Sequence, residues 1–263
     1  MSKIFTMLCF SILFIPLDTC TEERAFLFKP PSTTFVIVAH GNNINEDLLR
    51  HEIQNSTVVA LDGASTYLDQ KGIPYQVLLG DFDSVEQHKV RAAFDAISDE
   101  SQSYMHSDRL IVPSKDQNYT DLEKGLKFCD EQGATKIIIY GASGDREDHS
   151  EWNRNLLKKY HKNRRPLVMR CACQTIVYIT PQDCPYEFFG KARDKCGFFA
   201  YPETVKVTTQ GLRWDVENWE VIFAQQTSVS NEMIGESATI TIIEGPGLLV
   251  VQPNPIFCVS LLS

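Results

Sequence analysis

The chain has 263 residues, 43% of them apolar and 22% charged, with a net charge of -9 and a pI near 5.2. That length supplies core for one large domain or two modest ones. The acidic balance excludes a broad nucleic-acid surface, which needs a basic patch, but leaves local phosphate binding open through metal ions or backbone N–H groups.

In chain order, Lys3 is followed by a mainly apolar run from Ile4 to Ile15. That pattern matches a secretory signal and is short for a membrane span. The following Leu17-Asp18-Thr19-Cys20 makes a poor cleavage site. A signal, a packed N-terminal extension and an unused upstream start are the open readings. No later segment is long and apolar enough to span a membrane, and no internal repeat appears.

From about residue 33 to 165, short apolar runs alternate with helix-like segments. Strands are predicted at 35–39, 58–61, 77–79, 110–113 and 136–140. Helices are predicted at 44–54, 65–71, 86–98, 120–131 and 149–160, with Leu122, Leu126 and Cys129 at helical spacing. Continuous apolar strands separated by helices indicate a parallel sheet covered on both faces. After Asn163-Arg164-Arg165-Pro166 the rhythm changes. Residues 204–209 and 238–243 alternate apolar and polar, 248–251 is another strand, and helical period is lacking. The fold class is therefore α/β: an N-terminal doubly wound parallel-sheet domain followed by an antiparallel β-sandwich or barrel domain.

The eight cysteines (9, 20, 129, 171, 173, 184, 196 and 258) contain no CxxC pair. Cys171 and Cys173 form a lone CxC within an apolar run. All are expected to be reduced and mostly buried, because a zinc site needs a second ligand pair at proper spacing.

The acids gather at predicted strand ends. Asp62 follows one strand, and Asp81 and Asp83 follow another within LLGDFDS. Residues Lys115 to Asp121 lie between a third strand and its helix, and Gly141 to His149 follow a fourth. A single Asp there is usually a turn or an N-cap. Four such loops on one rim repel unless a cation is present, and carboxylate oxygens suit Mg²⁺ shared with phosphates. Phe82, between Asp81 and Asp83, is expected to point away from them in an extended segment. Gly141 and Gly144 precede a helix N-terminus, which suits an anion, and Arg146 offers a bidentate phosphate contact.

These residues resemble the thiamine pyrophosphokinase family. The matching pieces are Asp62-Gly63-Ala64, Gly80-Asp81-Phe82-Asp83-Ser84, Asp116-Gln117-Asn118-Tyr119-Thr120-Asp121, Gly141 through His149, Gly211-Leu212-Arg213-Trp214 and Ser228-Val229-Ser230-Asn231-Glu232. They cover roughly residues 33–253 in the family's order. The resemblance implies transfer of diphosphate from ATP to the hydroxyl of thiamine, with AMP leaving. It implies Asp81, Asp83 and Asp121 as catalytic residues, and Asp62, Asp81, Asp83 and Asp121 as holders of Mg²⁺. Asp62, Gln117, Thr120, Arg146 and Asp148 are implied on the ATP side. Ser230 and Asn231 would contact the aminopyrimidine of thiamine across a homodimer interface. Trp214 is expected in the core, with packing near that site as its second reading. The implied domains are an extension at 1–32, an ATP- and Mg-binding catalytic domain at 33–165, and a thiamine-binding, dimerising β domain at 166–263. ATP and thiamine are the expected partners, without nucleic acid or membrane, and the ATP requirement points to the cytoplasm.

Several positions depart from the family pattern, Glu151 and Trp152 among them as bulkier than is usual. Ala64 stands for a glycine, Asp145 for another glycine, and Glu147 for an apolar residue. Asp145 and Glu147 add negative charge beside the expected phosphates. They motivate an alternative, a non-catalytic thiamine- or nucleotide-binding protein. A DxD phosphohydrolase, using an aspartyl nucleophile, is the other alternative.

Overall fold

The computed structural model describes residues 28–82, 103–106, 108–114, 116–144 and 146–255. Asp83, Ser84, Lys115, Asp145, the predicted helix at 86–98 and the signal-like run lie outside the described residues.

The apolar runs form the middle of a large sheet. β1 (Thr34–Val38), β2 (Thr57–Leu61), β3 (Val77–Gly80), β5 (Arg109–Pro113), β6 (Lys136–Tyr140) and β7 (Leu167–Arg170) are parallel, with short β4 (Tyr104–His106) antiparallel at the edge. Helices cover both faces, because successive side chains on a strand point opposite ways. Phe35, Ile37, Val59, Leu61, Ile137 and Ile139 face α3 (Asp121–Glu131) and α4 (Glu147–Lys159). Val36, Val38, Val58, Ala60 and Ile138 face α1 (Glu46–Glu52) and α2 (Ala64–Gln70).

The second half extends the same sheet. β8 (Gln174–Ile179) turns back antiparallel to β7, and β15 (Leu248–Pro253), β10 (Lys195–Ala200) and β13 (Ser228–Glu232) follow outward. A separate four-stranded sheet, β12 (Trp219–Val221), β11 (Val205–Gln210), β14 (Ser237–Glu244) and β9 (Tyr186–Phe189), closes one face as a sandwich. Alternation lets one strand serve two cores. Ile176 and Tyr178 of β8 join the helix-covered core, while Val177 and Ile179 join the sandwich. The α/β and antiparallel reading holds, but the two halves share an 11-stranded sheet. That continuity rests on pairings across the β7–β8 turn and between β15 and its neighbours, which local sequence patterns do not display.

The cysteine reading is corrected at one position. Cys129, Cys171 and Cys196 are buried free thiols, but Cys173 is exposed, because residues 171–173 form the β7–β8 turn rather than an apolar run.

Candidate functional site

β1 lies inside the sheet, with β2 on one side and β6 on the other. The strand order therefore switches between β1 and β6, and ligands in such sheets bind beyond the carboxyl ends at the switch. A cavity of about 230 Å³ opens there. Its floor is made by two loops in direct backbone contact: Gly41 N–H donates to the Gly141 carbonyl at 2.7 Å. Gly141 has φ 63, and a Cβ there would come within 2.2 Å of the Ala39 carbonyl oxygen. Only glycine closes this contact, so the backbone itself lines the cavity.

Asp62, Thr120, Asp121 and Arg146 all line this cavity. Four of the residues singled out in separate sequence segments thus meet at one place. Asp62 is buried and left-handed, with φ 41. Its neighbour across the sheet is Gly80, where a Cβ would stand 3.0 Å from the Asp62 Cβ. Asp81 follows at once, and its Oδ2 accepts from Gln117 Nε2 at 3.0 Å. Phe82 is buried, as expected, but not by extended alternation: its φ is 61. A bulky side chain in that region is strained, and such strain concentrates at functional sites. Ser230 shows the same conformation, with φ 58.

The 116–121 loop is ordered by its own polar groups. Asp116 Oδ1 accepts from Asn118 N–H at 2.9 Å, a contact that lowers its pKa. Thr120 caps α3, accepting from Glu123 N–H. Asp121 in the first turn is 3.1 Å from the buried Lys124 Nζ, which also donates to the Ser114 carbonyl at 3.0 Å. Lys124 thereby joins the end of β5 to the start of α3.

Arg146 sits at the N-cap of α4 and pairs with Asp148 at 2.5 Å. The guanidinium contact holds the Asp148 carboxyl down at about 2. Asn153 Nδ2 donates to the Ala142 carbonyl at 2.9 Å, tying the glycine loop to α4. His40 and His149 also line the cavity, and the His40 ring lies against Gly63, where a Cβ would come within 2.6 Å of it. Neither histidine nor Asn153 was assigned from sequence. His40 lies two residues beyond the end of β1, and a lone histidine there carries no spacing signal.

Ser230 and Asn231 stand apart. They lie on β13, six strand positions from β1, or roughly 30 Å at ordinary strand spacing. Asn231 is buried, and its amide is engaged: Oδ1 accepts from Trp214 N–H at 3.2 Å and Nδ2 donates to the Trp214 carbonyl at 3.0 Å. Trp214 is half-exposed rather than core, because this hydrogen-bonded turn holds its backbone at the sheet edge. It lines a shallow cavity of about 240 Å³ with Ser228 and Val229.

A larger cavity, about 910 Å³, adjoins the first and shares Gly144 and Ser150 with it. Among the described residues no three His, Cys, Asp or Glu side chains stand together as a metal site, and no helix is long and apolar enough to cross a membrane. The acids here offer hard oxygen donors, suited to a cation whose remaining ligands are phosphate and water.

Two family models match the chain. The thiamin pyrophosphokinase catalytic domain matches residues 49–169, and the vitamin B1 binding domain of the same family matches 187–245. Among curated relatives, thiamine pyrophosphokinase 1 of Oryza sativa subsp. japonica is 26% identical, covering 86% of this chain and 95% of its own. Thiamine pyrophosphokinase 1 of Arabidopsis thaliana is 28% identical over 50% of this chain, so the match spans only about half (52%) of that relative. A crystal structure of thiamine pyrophosphokinase from Bacillus subtilis superposes with a TM-score of 0.70 at 23% identity, over 85% of this chain and 100% of that one.

Proposed function

The chain belongs to the thiamin pyrophosphokinase family, and from that premise we propose that it transfers a diphosphoryl group from ATP to the hydroxyl of thiamine, releasing AMP. The observation that carries this reading is the polar cavity at the β1–β6 switch, where Asp62, Thr120, Asp121 and Arg146 converge over a glycine floor.

Phosphoryl transfer asks mainly for positioning and charge neutralisation. Backbone N–H groups of the 141–144 loop and the α4 N-terminus attract phosphate oxygens, and Arg146 adds a fork-shaped donor. Thr120, which lines the cavity, and Gln117, which donates to Asp81, would bond phosphate or ribose oxygens. Asp62, Asp81 and Asp121, joined by Asp83, would hold Mg²⁺, which when bound neutralises the triphosphate and stabilises the transferring group. Asp121 or a neighbouring acid orients the attacking hydroxyl. Glu232, held by Lys195 and Arg213, and Asn231 fix the edge that presents Ser230 and Trp214. The distance from β13 to the cradle supports a homodimer, in which that edge meets the partner's cavity. The need for ATP supports a cytoplasmic site of action.

The test incubates the purified full chain with ATP, Mg²⁺ and thiamine. Equal amounts of AMP and thiamine diphosphate are expected. Phosphate release without thiamine consumption would instead indicate a hydrolase, and binding without product a non-catalytic module. Asp81→Asn is expected to abolish turnover with an unchanged melting temperature. Loss of stability with retained turnover would remove Asp81 from the site.

A further inference from the structure

The glycine loop at the cavity floor is held by a side chain as well as by Gly41. Asn43, in the segment between β1 and α1, donates from Nδ2 to Ser143 Oγ at 2.9 Å. Its Oδ1 accepts from Ala172 N–H at 2.9 Å. A backbone N–H only donates, so the Asn43 amide has one orientation, and Ser143 Oγ is the acceptor. The Ser143 hydrogen is then free to point at Cys171 Sγ, 3.4 Å away. Ser143 is buried, and Gly144 packs so closely that a Cβ there would stand 2.4 Å from Asn42 Oδ1. Ala172 belongs to the β7–β8 turn, which two further asparagines fix. Asn45 Nδ2 donates to the Ala172 carbonyl at 3.1 Å. Asn254 Nδ2 donates to the Cys171 carbonyl at 3.0 Å and to that of Ala172 at 3.2 Å. Among the described residues, Asn43 alone of the three also bonds the glycine loop.

We propose that Asn43 is a positioning residue for the glycine loop: it ties Ser143 to the fixed β7–β8 turn and so sets the aim of the Ser143 and Gly144 N–H groups. The inference rests on the reading that this loop receives the ATP phosphates. A segment with two glycines has many conformations open to it. Backbone donors serve an anion best when they are held in place before it arrives. The Asn43–Ser143 bond joins residues 100 apart in sequence. The turn from which it reaches is where parallel strands give way to antiparallel ones. Phosphate binding is thereby tied to the junction between the two halves of the sheet.

The experiment compares the full chain with Asn43→Ala, Ser143→Ala, the double variant and Asn254→Ala. Calorimetric binding of ADP with Mg²⁺ reads the loop without turnover, and initial rates separate KM from kcat. Asn43→Ala and Ser143→Ala are each expected to weaken ADP binding and raise KM for ATP about fivefold, as befits one lost hydrogen bond. KM for thiamine should not move. The double variant should lose no more affinity than Asn43→Ala alone, because both changes remove the same bond. Asn254→Ala takes hydrogen bonds from the same turn but none from the loop. It should lower the melting temperature and leave ADP binding at the parental value. Absence of ADP binding by the unaltered protein, unchanged binding by Asn43→Ala, an equal loss in Asn254→Ala, or additive losses in the double variant would overturn the assignment. Dependence of ADP binding on Asn43 in a protein that forms no thiamine diphosphate would refute the proposed reaction and leave the positioning role standing.

Discussion

Replacing Gly141 by alanine strikes the floor of the cavity. At φ 63 a left-handed alanine costs about 1–2 kcal/mol. The new Cβ would also sit 2.2 Å from the Ala39 carbonyl oxygen and 3.0 Å from that of Gly41. Both neighbours are backbone, so no side chain can swing aside. Relief requires the two loops to separate, at a cost comparable to overpacking, about 1–3 kcal/mol. The sum of about 2–5 kcal/mol corresponds to a fall in melting temperature of roughly 5–15 °C at this chain length. Separation also breaks the 2.7 Å bond from Gly41 N–H to the Gly141 carbonyl and misaligns the phosphate-facing amides, so KM for ATP should rise at least tenfold. Differential scanning calorimetry and initial-rate kinetics measure the two effects. A variant within 1 °C of the parent and with unchanged KM, on the order of experimental scatter, would refute the loop-contact reasoning.

Other expectations follow from the same geometry. Asn231→Ala removes both side-chain hydrogen bonds that hold the Trp214 backbone, costing about 0.5–1.5 kcal/mol each; urea denaturation measures it, and an unshifted Trp214 emission would contradict the tether. Arg170 Nη2 lies 2.7 Å from Glu52 Oε1, with both side chains buried, so Arg170→Ala strands a buried charge and should cost about 3–5 kcal/mol. A loss under about 1 kcal/mol would show that water reaches Glu52. Arg146 depresses the Asp148 carboxyl from 3.8 to about 2. A lowered value means the pair's contribution is complete above pH 3.8 and is lost as pH falls through about 2. Carbon-13 NMR titration should find that midpoint, and Arg146→Gln should raise it; an unmoved midpoint would dismiss the pairing.

Much of the site was legible because chemistry-bearing residues sit where local rules put them. Asp62, Asp81 and Asp121 follow or begin elements whose apolar periodicity is plain, and strand ends at a switch point converge. Thr120 as the α3 cap follows from the same local logic. His40 escaped because a lone histidine after a strand carries no spacing signal. Trp214 was expected in the core because apolar size favours burial, yet its place is set by Asn231, 17 residues away. Glu147 read as a departure from a pattern, and its surroundings became visible only when β10 and the 222–225 turn were placed opposite α4.

By itself, the sequence determined the alternation of buried strands with amphipathic helices, the acid-bearing loops at the strand ends and the alternating antiparallel strands of the second half, while β7 (Leu167–Arg170) continues the parallel part past the expected boundary. These are short-range properties, set by side-chain period and by the backbone preferences of Gly, Asp and Thr. Tertiary structure alone decided that both halves share one sheet, that β13 lies six positions from β1, and that two cavities meet at Gly144 and Ser150. Those facts depend on which distant strands exchange hydrogen bonds. That choice is made by the whole core at once, since Ile176 and Val177, adjacent in sequence, must each be buried on opposite faces.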